Sequence, residues 1–222
     1  MSFLLHKEID QLKKRLYALS AVVEGRVEQA LQALLEGDRE LALKVARGDA
    51  EIDNLEIALE EECLKIMALY QPVASDLRFL VSVLKINNDL ERVADFAVNL
   101  AERSLDLGSP ERVRCPYDLR KMARSVQEIF HTALDSVMHQ DAALARRAIA
   151  MDDLVDSMHR ENYCRVKDAI VKDITAIDAY VLYLSISRYL ERMGDLATNI
   201  AEDVVYHTEG DIIRHGGVQT EG

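Results

Sequence analysis

A chain of 222 residues has room for one larger domain or for two of about a hundred residues each, and either is long enough to bury a core. Its formal charge of -12 at pH 7 excludes nonspecific binding to nucleic acid or to an anionic lipid surface, because attraction to phosphates needs a basic patch; cations and basic protein surfaces are the fitting partners. Hydrophobic residues at 49%, charged residues at 30%, three prolines and nine glycines describe a soluble, helix-rich chain.

Cys63, Cys115 and Cys164 are odd in number and share no short spacing, which indicates neither a disulfide framework nor a CxxC zinc site and suits a reducing cytoplasm. The stretch Met1 to Glu8 meets charge before it can build the apolar core of a signal peptide, and no run of about 18 apolar residues occurs. Membrane association is therefore expected only peripherally, through a partner.

From Phe3 to about Glu36, Leu5, Ile9, Leu12, Leu16, Leu19, Val23, Val27, Ala30 and Leu34 recur at threes and fours and predict one long amphipathic helix. Gly25 inside it costs about 1 kcal/mol relative to Ala. Gly37-Asp38 reads as a stop and an N-cap, and a second helix is expected from about Arg39 to Tyr70. Pro72 removes a helical donor and ends it; Ser75 or Asp76 is the expected cap of a third helix, which fades near Gly108-Ser109-Pro110. Residues 110–116 form the linker. Beyond it the plan repeats, with helices expected at about Tyr117 to Gln140, Asp141 to Lys172 and Ala176 to His207, the last with capping-box spacing at Thr175 and Asp178. The Gly-rich tail from 209 to 222 is expected to fray.

The third and last helices carry the same motif. Leu90 to Glu102 and Leu190 to Glu202 agree at eight of thirteen positions, one hundred residues apart. At ~100° per residue, Glu91, Asp95, Asn99 and Glu102 fall within an arc of roughly 80°, and Leu90, Val93, Ala97, Leu100 and Ala101 gather opposite. Shifted by 103 instead, Asp49 meets Asp152 and Asp53 meets Asp156, and the three-residue slip falls at the Pro72 loop. The fold expected is all-α: two tandem, sequence-related three-helix bundles over 1–109 and 117–208, with short connections making neighbours antiparallel.

Each half thus places two carboxylate stripes on different helices. Asp or Glu at helical spacing is ordinarily a solvated face, and Arg92 and Arg192 could trim the repulsion within it. Four such motifs in matched pairs instead suit a hard or borderline cation, which needs several oxygen ligands from more than one element. A ferritin-like di-iron enzyme is the alternative of another class, but it needs two ExxH motifs, and the chain has one, Glu128 to His131, with Asp156 to His159 a near miss. No nucleophile elbow, Walker A or GxGxxG pattern occurs. A helical interaction module that binds no metal is the third reading.

Asn88 to Asp95, Ser187 to Glu202, the Gln71 to Arg78 turn and the acidic pairs Asp49, Asp53 and Asp152, Asp156 resemble the PhoU family of phosphate-uptake regulators over nearly the whole chain. The resemblance implies surface metal sites, iron favoured, with manganese, magnesium, zinc or calcium as other occupants, at Asp49, Asp53, Glu91, Asp95, Asp152, Asp156, Glu191 and Asp195. Asn99, Glu102, Asn199 and Glu202 share those stripes as second choices. It further implies a non-enzymatic, cytoplasmic negative regulator of phosphate uptake and starvation signalling, with the phosphate ABC transporter, its ATPase component and a sensor histidine kinase as partners. A homodimer is compatible with its long amphipathic helices. Two departures stand out: Gly194 replaces the first copy's Ala94, and the second half lacks the Gln-Pro-Val-Ala loop.

Overall fold

The computed structural model describes residues 2–48, 50–108 and 113–210. Among them lie seven α-helices and no strand: α1 (Ser2–Glu36), α2 (Arg39–Ala46), α3 (Ala50–Tyr70), α4 (Ala74–Leu107), α5 (Leu119–His139), α6 (Ala142–Lys172) and α7 (Ile177–Glu209), with one turn of 3-10 helix before α7. The six-helix plan holds with one helix broken. The expected continuous helix from Arg39 to Tyr70 divides into α2 and α3 because Gly48 turns into the left-handed region at φ 73°, which a glycine adopts without a Cβ clash. Met151 is its counterpart, and α6 runs straight through.

Of the three caps expected from the sequence, one forms as expected. Asp38 accepts hydrogen bonds from the Glu40 and Leu41 amides at 3.0 Å each, and Asp141 does the same for Ala143 at 2.8 Å and Leu144 at 3.2 Å. Two expected caps are corrected. Neither Ser75 nor Asp76 caps α4, whose N-cap position is Val73 with no side-chain hydrogen bond. Nor does Thr175 box the start of α7; Asp173 accepts from the Thr175 amide and hydroxyl, at 3.0 and 2.6 Å, and opens the 3-10 turn. α7 is entered through the 3-10 turn and α4 through an extended Val73 followed by Ala74 at φ 50°, so in each case the cap position falls on a residue other than the expected capping side chain. Within the expected linker, 110–112 lie outside the described residues and 113–116 are non-helical; the tail from 211 onward is also outside them.

The predicted stripe of α1 is buried from Ile9 to Leu34, as are Leu90, Val93, Ala97, Leu100 and Ala101 and their counterparts Leu190, Met193, Ala197, Ile200 and Ala201. Nonpolar area removed from water on these faces holds the bundles together, at about 25 cal/mol per Å². α1, α2, α3 and α4 pack as one bundle and α5, α6 and α7 as the other, and α4 lies along α7 between them. Ring contacts Phe79 to His207 and Phe96 to Tyr189, and the Lys85 to Asp203 ion pair at 3.2 Å, run in opposite senses along the two helices, which are therefore antiparallel. Among the described residues no helix is long and apolar enough to cross a membrane.

Candidate metal centre

The unbroken α6 sets Asp152 and Asp156 one turn apart on one face, and α7 brings Glu191 and Asp195 alongside. One oxygen from each of Asp152, Asp156 and Asp195 lies within 4.8 Å of the others, and all three residues are half-buried. Burial, with Asp195, Asp156 and Glu191 adding repulsion, pushes the Asp152 carboxyl up to about 6. Burial also raises Glu191, with Asp195 adding to the shift. It raises Asp195 as well, against the opposing pull of Arg192, whose Nη1 donates to Asp195 Oδ2 at 2.9 Å. Asp152 Oδ1 and Glu191 Oε2 are shut off from solvent and accept no hydrogen bond; Arg192 Nε stands 3.6 Å from the latter, too far to donate.

Gly194 is part of this construction. A Cβ there would lie 3.1 Å from Asp152 Oδ1, so the missing side chain lets the carboxylate settle against α7. The sequence marks Gly194 only as a helix weakener; the close approach it permits depends on how α6 packs, which no local pattern reveals. Arg92, from α4 in the other bundle, joins Asp152, Arg192, Asp195, Thr198 and Asn199 around a cavity of about 280 Å³. That reach across the seam is equally absent from the motif spacing.

The first half differs. Glu91 and Asp95 lie on α4, but Asp53 and Asp95 are exposed, and Asp49, the counterpart of Asp152, lies outside the described residues. The carboxylate drawn toward Glu91 is Glu56: burial raises Glu91, with Asp95 and Glu56 adding to it, and Asn87 Nδ2 holds Glu56 Oε1 at 3.3 Å. Glu56 extends the Asp53 stripe by a turn. Among the described residues, Asp152, Asp156 and Asp195 are the only three such groups that converge this closely. Of the second choices, Asn199 lines the cavity, whereas Asn99, Glu102 and Glu202 are half-exposed farther along their helices, with Glu102 Oε2 3.5 Å from Arg103.

His159 continues the Asp152, Asp156 face of α6. Its Nδ1 lies 2.9 Å from Ser187 Oγ, which accepts from Asn162 Nδ2 at 3.0 Å, and burial lowers its pKa. The single ExxH is used otherwise: His131 is exposed, 2.7 Å from Glu24 and 3.5 Å from Asp135, while Glu128 faces Arg147 at 3.7 Å. The Glu24 and Arg147 contacts join neighbouring helices at the surface and the Asp135 contact lies within α5, and the inward-facing ligand set of a di-iron bundle is not assembled by them.

An all-oxygen set from two adjacent helices, holding buried oxygens that no donor reaches, is what a hard or borderline cation would satisfy. The residues therefore fit the metal that the resemblance implies, in the second half. The family model for the PhoU domain matches residues 6–104 and 119–204. The chain belongs to the PhoU family. It is 33% identical over 218 residues to the phosphate-specific transport system accessory protein PhoU homolog of Aquifex aeolicus (strain VF5), covering 98% of this chain and 99% of that protein. Its fold is similar to the crystal structure of PhoU from Pseudomonas aeruginosa, with a TM-score of 0.87 and 34% identity over 93% of this chain and 99% of that one. The phosphate transport system regulatory protein PhoU from Streptococcus pneumoniae is similar at a TM-score of 0.83 and 28% identity, covering 94% and 98%. The PhoU relatives thus share the whole two-bundle architecture, and the acidic seam described above sits within the matched residues.

Proposed function

We propose that this chain is a non-enzymatic, metal-binding negative regulator of phosphate uptake and phosphate-starvation signalling, which docks onto the phosphate ABC transporter through its ATPase component and onto a sensor histidine kinase. The regulatory part is supported by the names of its relatives, which are accessory proteins of the phosphate-specific transport system. The metal part rests on one observation: Asp152, Asp156 and Asp195 converge beside Glu191 while two of the buried oxygens find no donor. A bound cation would supply positive charge that neutralises the group and ties α6 to α7.

The chain's own residues do the rest. Arg192 holds Asp195 in place, Gly194 admits Asp152, and Arg92 places a guanidinium of the first bundle at the rim of the second bundle's site. Occupancy of that rim is therefore felt by both bundles, which is the property a regulator that couples two partners needs. The surface engagement of His131 and Glu128 weighs against a di-iron enzyme.

Elemental analysis of protein purified without chelator, beside a variant with Asp152→Ala and Asp195→Ala, tests the metal reading: bound iron or another divalent metal in the parent and loss in the variant is expected. Equal, negligible metal in both contradicts it. For the regulatory reading, deleting the gene leaves phosphate uptake and starvation-gene expression unrestrained in high phosphate; unchanged reporters contradict it. Salt-sensitive partner binding that is indifferent to chelator would instead identify a metal-free interaction module.

A further inference from the structure

We infer that the cavity where the inter-bundle linker meets the ends of α1 and α4 is a binding site for a small organic phosphate, one that joins a phosphoryl group to an apolar or sugar body. The cavity measures about 620 Å³, within the range of small-molecule sites and several times what inorganic phosphate would fill. It lies between the two bundles, on the far side of the molecule's length from the α4 start, and shares no lining residue with the carboxylate cavity.

Its charge runs against that of the whole chain. Arg114, Arg120 and Arg165 line it with Asp118 as the one carboxylate, and Asp118 is already engaged, accepting from the Lys121 amide at 3.0 Å as the cap of α5. In a chain of formal charge -12, three guanidiniums gathered at one hollow are a local reversal that favours an anion. Arg114 is exposed and, among the described residues, takes no ion-pair partner. Arg120 commits one Nη2 hydrogen to the Leu35 carbonyl at 3.2 Å, which anchors the side chain and leaves its other donors to serve a ligand. Arg165 is held by Glu161 at 2.7 Å on its own helix. Guanidiniums offer paired donors that match phosphoryl oxygens, and this is the reason for choosing a phosphate among anions.

The cavity also has an apolar lining. Leu35, Leu107 and Leu119 line it, and the Tyr117 and Tyr183 hydroxyls are turned away into backbone carbonyls, Tyr117 to Tyr183 O at 2.6 Å and Tyr183 to Val113 O at 2.9 Å. A ligand that met only the arginines would leave that apolar surface wet. A ligand with a body covers it and gains the burial.

Isothermal titration of the full chain with AMP, glucose 6-phosphate, inorganic phosphate and adenosine tests the inference. At least one of the two organic phosphates binds with 1:1 stoichiometry and a Kd below about 1 mM, and inorganic phosphate and adenosine each bind about tenfold or more weakly. The charge reversals R114E and R165E each weaken the organic phosphate about tenfold, while the acidic-seam variant D195A leaves it unchanged. Both arginines are exposed, so the variants keep the parent's circular dichroism and melting temperature, which are measured alongside. Absence of binding by both organic phosphates overturns the inference. So does an affinity for inorganic phosphate equal to theirs, or binding that R114E and R165E do not alter.

Discussion

Replacing Asp152 with asparagine is expected to stabilise the chelator-treated protein, although the residue is the best-placed candidate ligand. An aspartate moved from its ordinary 3.8 to about 6 is disfavoured in its ionised form by roughly 3 kcal/mol before solvent screening is counted. The group is only half-buried, and solvent screening reduces this to about 1–2 kcal/mol. The folded-state pKa is raised, so this stabilising contribution is fully present below about pH 4 and is lost as the pH rises through about 6. The substituted amide carries no charge to lose. At pH 7.5 without metal the variant should therefore melt about 2–8 °C above the parent, and the gap should close as the pH falls toward 4. Adding the cognate divalent metal reverses the order, because the parent gains stability by mass action and the variant, lacking one oxygen anion, gains little. Thermal melts monitored by circular dichroism, with and without chelator, read all of this. A variant that melts below the parent in chelator at pH 7.5 would show that Asp152 Oδ1 has a donor after all, and equal stabilisation of both by metal would place the ion elsewhere.

Three further changes probe the surrounding construction. Gly194→Ala puts a Cβ 3.1 Å from Asp152 Oδ1 and should weaken metal binding several-fold in a metal titration, while the metal-free helix gains up to about 1 kcal/mol in urea unfolding. Gly25→Ala meets nothing within 4 Å and should stabilise by about 1 kcal/mol with no effect on metal, as the same urea series would report. Lys85→Ala removes the ion-pair partner 3.2 Å from the buried Asp203 at the α4–α7 seam and, with Lys85 itself partly exposed, should cost about 1–2 kcal/mol; a loss under about 0.5 kcal/mol would mean the seam does not depend on that pair.

The fold is readable because its information is periodic. Leu12, Leu16, Leu19, Val23 and Val27 are buried as their spacing requires, and the two copies of the Leu90 motif turn their apolar faces inward and their acidic faces away from the core. What escapes the sequence depends on single backbone torsions or on packing between distant segments. Gly48 at φ 73° breaks a helix that its hydrophobic pattern alone would continue, although a glycine three residues after Val45 is a visible cue. The caps of α4 and α7 differ from expectation because Val73, in extended backbone, and Ala176, at the end of the 3-10 turn, take the cap positions with no capping side chain to announce them.

At the candidate site the same division holds. Glu191, Asp195, Asp152 and Asp156 are identifiable as two stripes in register, and α6 packing on α7 brings them together. The role of Glu56 beside Glu91 follows from extending the Asp53 stripe by one turn, a cue present in the sequence but weaker there than the repeated spacing that singles out Asp53. Gly194 and Arg92 act through partners on α6 and across the bundle seam, and nothing in their own neighbourhoods in sequence signals it.

The central claim is that the carboxylates between α6 and α7 hold a metal ion, and diffraction collected at successive metal absorption edges from crystals grown without chelator tests it most directly. The account predicts an anomalous peak bounded by Asp152, Asp156 and Asp195, lost in crystals of the Asp152→Ala, Asp195→Ala variant. Crystals of the parent chain with no anomalous density there, after soaking in iron and manganese, would contradict it.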